Sequence, residues 1–310
     1  MQNVGVCIPD AELHMNDCHC HFFSTQFFAT LAKQRGKGDT PSQLCHQLEW
    51  DDPGTAQELA ARWVRELDSA GVARAALIAS VPGDETSVAA AVKSHPGRFV
   101  GFFMLDPSAP DTGERAWRAV AQLGVRGICL FPAMHHVPLD DERVRRVVEV
   151  AEAHPGTAVF VHCGVLSVGV RKKLGLVSRF DMRLGDPLGV SRLAAAFPSV
   201  PFIIPHFGAG LFREALMAAD SCPNVHFDTS SSNGWVRYVP GLTLDEVYKT
   251  ALVVTGPSRL LFGTDSSFFP RGWQRSILET QKAVVSRLGL SATDEALIFG
   301  GNFDRLFPPA

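Results

Sequence analysis

Several things are scarce in these 310 residues, and each scarcity removes a class of protein. The seven cysteines stand singly or in the one close pair Cys18-x-Cys20. An odd count without a spaced framework argues for free thiols in a reducing compartment, not a disulfide scaffold. The paired Cys-x-x-Cys spacing of a structural zinc site is missing as well. Net charge is only −3, which leaves no basic footprint for nucleic acid. No apolar run reaches the length of a membrane span, and Met1 to Asp10 lack the basic start and long apolar stretch of a secretory signal. No Gly-x-Gly-x-x-Gly or Gly-x-x-x-x-Gly-Lys-Ser/Thr stretch supports nucleotide binding. No linker, charge run or short repeat divides the chain, so one domain over residues 1–310 is expected. What remains is a soluble cytoplasmic protein with a small-molecule partner, for which a homodimer is a compatible assembly.

What is present is apolar and periodic. Hydrophobic residues make up 46% and charged residues 20%, enough for a large core. Thr55 with Glu58 reads as a capping box, and Leu59, Trp63, Leu67 and Ala70 space as one helical face stopped by Gly71. Short apolar strands are expected at Arg74–Ser80, Arg98–Leu105, Val125–Phe131, Thr157–His162, Val200–His206, Asn224–Thr229 and Arg259–Phe262, nearly all followed by helices. With the extended run that starts at Glu12, that gives eight strands. Two-sided apolar strands alternating with helices predict a parallel sheet. Eight such repeats in about 300 residues predict a closed (β/α)8 TIM barrel. Three long connections stand out: Phe22–Pro53, Gly164–Gly185 and Ser230–Gly241. The first is expected to be an irregular insertion, and all three to shape a pocket.

The chemistry collects where strands end. Asp17-Cys18-His19-Cys20-His21 closes the first strand. Simple alternation puts His19 and His21 on one face, with Asp17 one step deeper on it, and turns Cys18 and Cys20 away. Two imidazoles at i and i+2 can grip one metal ion, and imidazole suits zinc and its neighbours. His162 ends the fifth strand, His206 the sixth, and Asp265 follows the eighth. In a TIM barrel those ends share the catalytic rim. Each alone has a plainer reading: His162 could be a satisfied core histidine, and Asp265 could cap the next segment. Together they read as a metal site.

His-x-His near the start, then Val-His-Cys-Gly, Pro-His-Phe-Gly and Gly-Thr-Asp at those positions, resemble the amidohydrolase superfamily. The nearest branch is the amidohydrolase-2 group, which includes the aminocarboxymuconate semialdehyde decarboxylase relatives. The tail from Ile298 to Phe307 resembles that group's closing Gly-Asn-x-x-Arg-Leu segment. The resemblance implies that His19, His21, His162 and Asp265 bind one divalent metal, usually zinc, with His206 as acid/base or substrate polariser and Asp265 taking a proton from the water. Binuclear members carry a carboxylated lysine at the end of strand four. Leu130-Phe131-Pro132 offers none here, which points to one metal.

Weaker candidates lie in the loops. His135 and His136 follow strand four. Arg183 and Arg237 could fork a substrate carboxylate. Trp235, Phe22 and Phe23 could wall an apolar pocket, and Cys163 is expected to be a core thiol. The expected activity is metal-dependent hydrolysis of a small organic acid, lactone or ester. The alternative is a metal-dependent nonoxidative decarboxylase of a small unsaturated or aromatic acid, and a barrel that only binds its ligand is a third reading.

Overall fold

The computed structural model describes residues 14–309. The expectations for Met1 to Asp10 and for the start of the first strand at Glu12 lie outside them. Eight strands run in order around one sheet: β1 (Met15–Phe22), β2 (Val72–Ala79), β3 (Phe99–Leu105), β4 (Gly127–Leu130), β5 (Ala158–Val161), β6 (Phe202–Pro205), β7 (Val225–Asp228) and β8 (Leu260–Leu261). Every neighbouring pair is parallel. The seam is carried largely by the residues after β8: Cys18 N donates to Phe262 O, Asp265 N to His19 O and His21 N to Ser266 O, at 2.9, 2.9 and 2.7 Å. The sheet thus curls into a TIM barrel.

β3 shows why these strands form a two-sided layer. All seven residues of Phe-Val-Gly-Phe-Phe-Met-Leu are buried. Val100, Phe102 and Met104 fill the barrel interior, while Phe99, Phe103 and Leu105 pack under the surrounding helices. Burying one such aromatic contributes about 1.5–3 kcal/mol of transfer free energy. The interior is therefore a packed core, not a pore. Gly127 makes room for it: a Cβ there would stand 2.2 Å from the Phe102 ring. Phe303 and Phe307 plug the end at which the strands begin.

Two expectations change. The stretch Phe22–Pro53 is not irregular. It holds two helices, α1 (Thr25–Arg35) and α2 (Pro41–Leu48). Ser24 caps α1 by accepting from Phe27 N, and Thr40 with Gln43 forms a capping box on α2. Their apolar faces share a small core of Phe27, Phe28, Leu31, Leu44 and Leu48, with Trp50 after them. Alternation in β1 is also broken. Asp17 pairs with Ala75 but Cys20 with Leu77, so one extra residue is inserted between them. Such a bulge re-aims side chains. Cys18 consequently joins the barrel interior, and Asp17 turns away to accept from Thr264 and from Trp273 Nε1. Only Cys20 faces the helical layer as expected.

Candidate active site

His19 is the hinge of the site. Its Nδ1 lies 2.6 Å from Asp228 Oδ2, a carboxylate with no solvent exposure at the end of β7. An imidazole beside a carboxylate places its proton on that side, so Nε2 carries a lone pair. His21 is set the same way. Its Nδ1 lies 2.7 Å from Ser80 Oγ, and that hydroxyl spends its proton on Ile78 O at 2.9 Å. Ser80 must therefore accept from His21 Nδ1, which leaves His21 Nε2 as a second lone pair. The two Nε2 atoms face each other at 3.3 Å, and Asp265 Oδ1 stands 3.0 Å from one and 3.6 Å from the other. With neutral imidazoles, three acceptors meet with no hydrogen between them. Only a proton or a cation can hold such a group together.

Two imidazole lone pairs and a carboxylate converging in this way suit a divalent ion. A second cluster, His19, His206 and Asp228, also brings ligand-type atoms within 4.8 Å of one another. It is already satisfied: Ser230 Oγ lies 3.0 Å from His19 Nδ1, from His206 Nδ1 and from Asp228 Oδ2, and donates to the last of these. It supports the first cluster from below. His162, one residue beyond β5, belongs to neither group. It stacks on Phe131 and meets His206 edge-on at a centroid distance of 5.5 Å, and its buried Nδ1 has no hydrogen-bond partner among the described residues. His206, one residue beyond β6, hydrogen-bonds through Nδ1 to Ser230 O at 3.1 Å.

The electrostatics follow from burial and from these neighbours. Burial pulls the His19 ring down, but the Asp228 charge and hydrogen bond, with Asp265 behind them, lift it to about 9. Burial lowers His21 and His206 and takes His162 to about 3. Burial raises Asp265, yet the His21 hydrogen bond and the His19 charge hold it below the usual carboxylate range. The backbone is forced here too. His206 and Asp265 sit at φ 55 and 61, a region costly for side chains with a Cβ.

These groups open into a cavity of about 540 Å³. All three long connections line it: Phe23, Phe27 and Trp50 from the first, Leu166 to Val170 and Lys173 from the second, Ser231 and Ser232 from the third. Of the weaker sequence candidates, Phe23 lines it as expected and the others are not among its lining residues. Arg183 is exposed and paired with Asp181, and Arg237 lies over Tyr238. His136 bonds to Arg179 O, and burial lowers His135 in its own niche. Trp235 is buried against Phe212, with Nε1 donating to Asn233. Cys163 is a buried thiol in the helical layer. Sequence reasoning passed over Asp228, Ser80, Lys173 and Arg271. Asp228 had a signal, since it ends β7 just as the histidines follow β5 and β6.

A barrel with imidazoles and a carboxylate converging at its C-terminal rim defines a metal-site enzyme class. Residues 16–308 match the family model described as amidohydrolase, and the chain belongs to that family of enzymes. Among curated proteins it is similar to Protein fluG of Emericella nidulans, 24% identical over 173 residues, which is 54% of this chain and 18% of that protein. The chain thus spans less than a fifth of that relative's length. Among solved structures it is similar to 5-carboxyvanillate decarboxylase LigW from Sphingomonas paucimobilis (TM-score 0.65, 16% identity, 96% of this chain and 100% of that one). It also resembles an amidohydrolase from Burkholderia multivorans with bound zinc (TM-score 0.62, 15% identity, 96% of this chain and 100% of that one). Among the described residues no helix is long and apolar enough to cross a membrane.

Proposed function

We propose that the chain is a mononuclear metal-dependent hydrolase of a small organic acid, lactone or ester. His19, His21, His162 and Asp265 would hold one divalent ion, zinc first among the choices. The observation that carries the reading is the meeting of His19 Nε2, His21 Nε2 and Asp265 Oδ1 at 3.0 to 3.6 Å from one another. When bound, such an ion polarises a carbonyl and brings the pKa of a coordinated water towards about 7. The chain's own groups supply the rest. Asp265, about a third exposed at 32%, is the carboxylate placed to take a proton from water. His206 lines the cavity in the tautomer that Ser230 O fixes, so its Nε2 can accept a proton and return it to a leaving oxygen. Phe131, Met104 and Met134 give the cavity an apolar wall beside these groups.

That apolar wall also favours a second reading, nonoxidative decarboxylation. Loss of CO2 from a carboxylate gains from an environment that does not solvate the charge. The balance is then one carboxylate and one proton giving a carbon–hydrogen bond and CO2, with Asp265 or His206 delivering the proton. One experiment separates the readings: metal analysis of the purified chain and of His162→Ala, beside a substrate screen of lactones, esters and carboxylic acids with CO2 detection. Hydrolysis predicts one ion per chain, its loss from His162→Ala, and acid release without CO2. Two ions per chain, or full occupancy in the variant, would overturn the ligand set. CO2 release would transfer the assignment to decarboxylation.

A further inference from the structure

The cavity is one-sided in charge. Asp265 is the single carboxylate among its described lining residues, and it belongs to the donor cluster. Two cations line the same space, Arg271 from the connection after β8 and Lys173 from the connection after β5. Neither has a carboxylate in ion-pair range among the described residues. The Arg271 guanidinium lies 4.5 Å over Phe268, and Lys173 Nζ lies 5.6 Å over Trp50. Phe268 and Trp50 themselves stack at 3.9 Å with their planes 10° apart. Arg271 is therefore held as a flat fork against an aromatic platform. Its Nη2 donates to Ser267 Oγ at 2.6 Å, with a longer contact of 3.5 Å to Asp265 O. Its Nε and Nη1 have no acceptor among the described residues. A guanidinium pre-oriented on a ring, beside the donor cluster and with donors to spare, suits a planar anion.

We propose that Arg271 is a specificity residue that binds a substrate carboxylate other than the group undergoing reaction, so that the cavity selects molecules with two anionic groups. The inference rests on taking this cavity as the active site, and it deepens that reading by naming the substrate class. Arg183 and Arg237, the arginines the sequence brought forward, cannot serve, because both lie off the cavity. Lys173 adds positive potential from the far side of the aromatic pair. Its compact ammonium offers no matching fork, so its part is smaller.

The test is direct binding, with no turnover required. Isophthalate, terephthalate and glutarate are titrated against their monomethyl esters by calorimetry, on metal-loaded protein and again after chelation. A hydrogen-bonded charge pair in a partly enclosed site should favour at least one diacid over its monoester by about 10- to 100-fold. Arg271→Met should bring that ratio to near parity, Arg271→Lys should keep part of it, and Lys173→Met should reduce it less than Arg271→Met does. Unfolding midpoints taken on the same samples show whether a variant is folded, and Arg271→Lys carries the test if Arg271→Met is not. No diacid preference in the wild type, or a preference unchanged in the Arg271 variants, would overturn the proposal. A ratio that persists after chelation keeps it standing even if the metal assignment fails, so the two failures are distinguishable.

Discussion

The two ends of the barrel handle polar groups in opposite ways. At the end where strands begin, arginine and asparagine side chains meet several backbone and carboxylate acceptors, with Asn16 Oδ1 and His226 Nδ1 left without a partner among the described residues. Arg74 Nη1 reaches Asp304 Oδ1 at 2.5 Å and Phe307 O at 2.7 Å. Arg259 Nη1 serves Ala219 O at 2.6 Å and Cys222 O at 3.2 Å, and Asn302 Nδ2 serves Pro257 O and Leu260 O at 2.8 Å each. At the end where strands finish, His19, His21 and Asp265 turn acceptor against acceptor. Positive φ gathers there as well, at His206, Phe207, Ala209 and Asp265. A fold tolerates unmet acceptors and strained backbone only where the surrounding packing overdetermines them. The first end is built for stability and the second for a ligand. Three substitutions sharpen or break that contrast.

The largest effect is expected at His206. Its ring is stacked against His19 at a centroid distance of 5.2 Å, yet its Nδ1 is taken up by Ser230. It can therefore act on substrate without holding the ion. His206→Asn should keep near-normal metal content and lower kcat by about 10²–10⁴-fold, the usual cost of losing an acid–base group. Metal content and steady-state kinetics on one preparation decide it. An emptied site would make His206 a ligand, and wild-type turnover would remove its catalytic role.

Asp228 comes next. It orients His19 from below, and partners of this kind typically carry 10–100-fold in metal affinity. An asparagine of the same shape can present its amide to His19 Nδ1 and force the proton onto Nε2, where the ion should bind. Asp228→Asn is therefore expected to weaken metal binding by about 10–100-fold without unfolding the chain. Competition with a chelator reads this out. Unchanged affinity would reduce Asp228 to a packing role. Complete loss with His21→Ala unaffected would move the ion to the His19–His206–Asp228 side.

The contrast also explains what the sequence could convey. The eight repeats were legible because two-sided apolar strands and capped helices are local patterns, and Thr55 with Glu58 marks its helix start as expected. The helices α1 and α2 were hidden by Gly36, Gly38 and Pro41, although Thr40 and Gln43 carry the same capping signal as Thr55 and Glu58. The rim histidines were legible because each sits at a strand end. The bulge that swings Cys18 inward was not, since an extra residue in one strand shows only against its partner. Arg271 and Lys173 were missed because a cation on a loop gains meaning from the aromatic ring beneath it, and Phe268 and Trp50 lie 218 positions apart, by subtraction of their numbers.

The smallest effect probes the stable end. His226 on β7 points into the lower barrel, 4% exposed, and its Nδ1 has no partner among the described residues. Burial first, then the Arg305 and Arg259 charges, bring its pKa down to about 3. The ring is therefore neutral in the folded chain at every pH where the unfolded chain, at about 6.5, begins to bind a proton. The sign follows. Stability from this group is fully present above about pH 6.5 and falls as pH drops towards 3, by up to about 1.4 kcal/mol per pH unit. His226→Gln removes the titration and keeps a polar group. Urea unfolding between pH 7.5 and 5 should show a shallower acid loss in His226→Gln than in wild type, whatever the variant's starting stability. The rim histidines titrate in both proteins and cancel in the difference. Parallel curves would mean that water or a partner already reaches His226, and that the lower barrel is less dry than its phenylalanine plug implies.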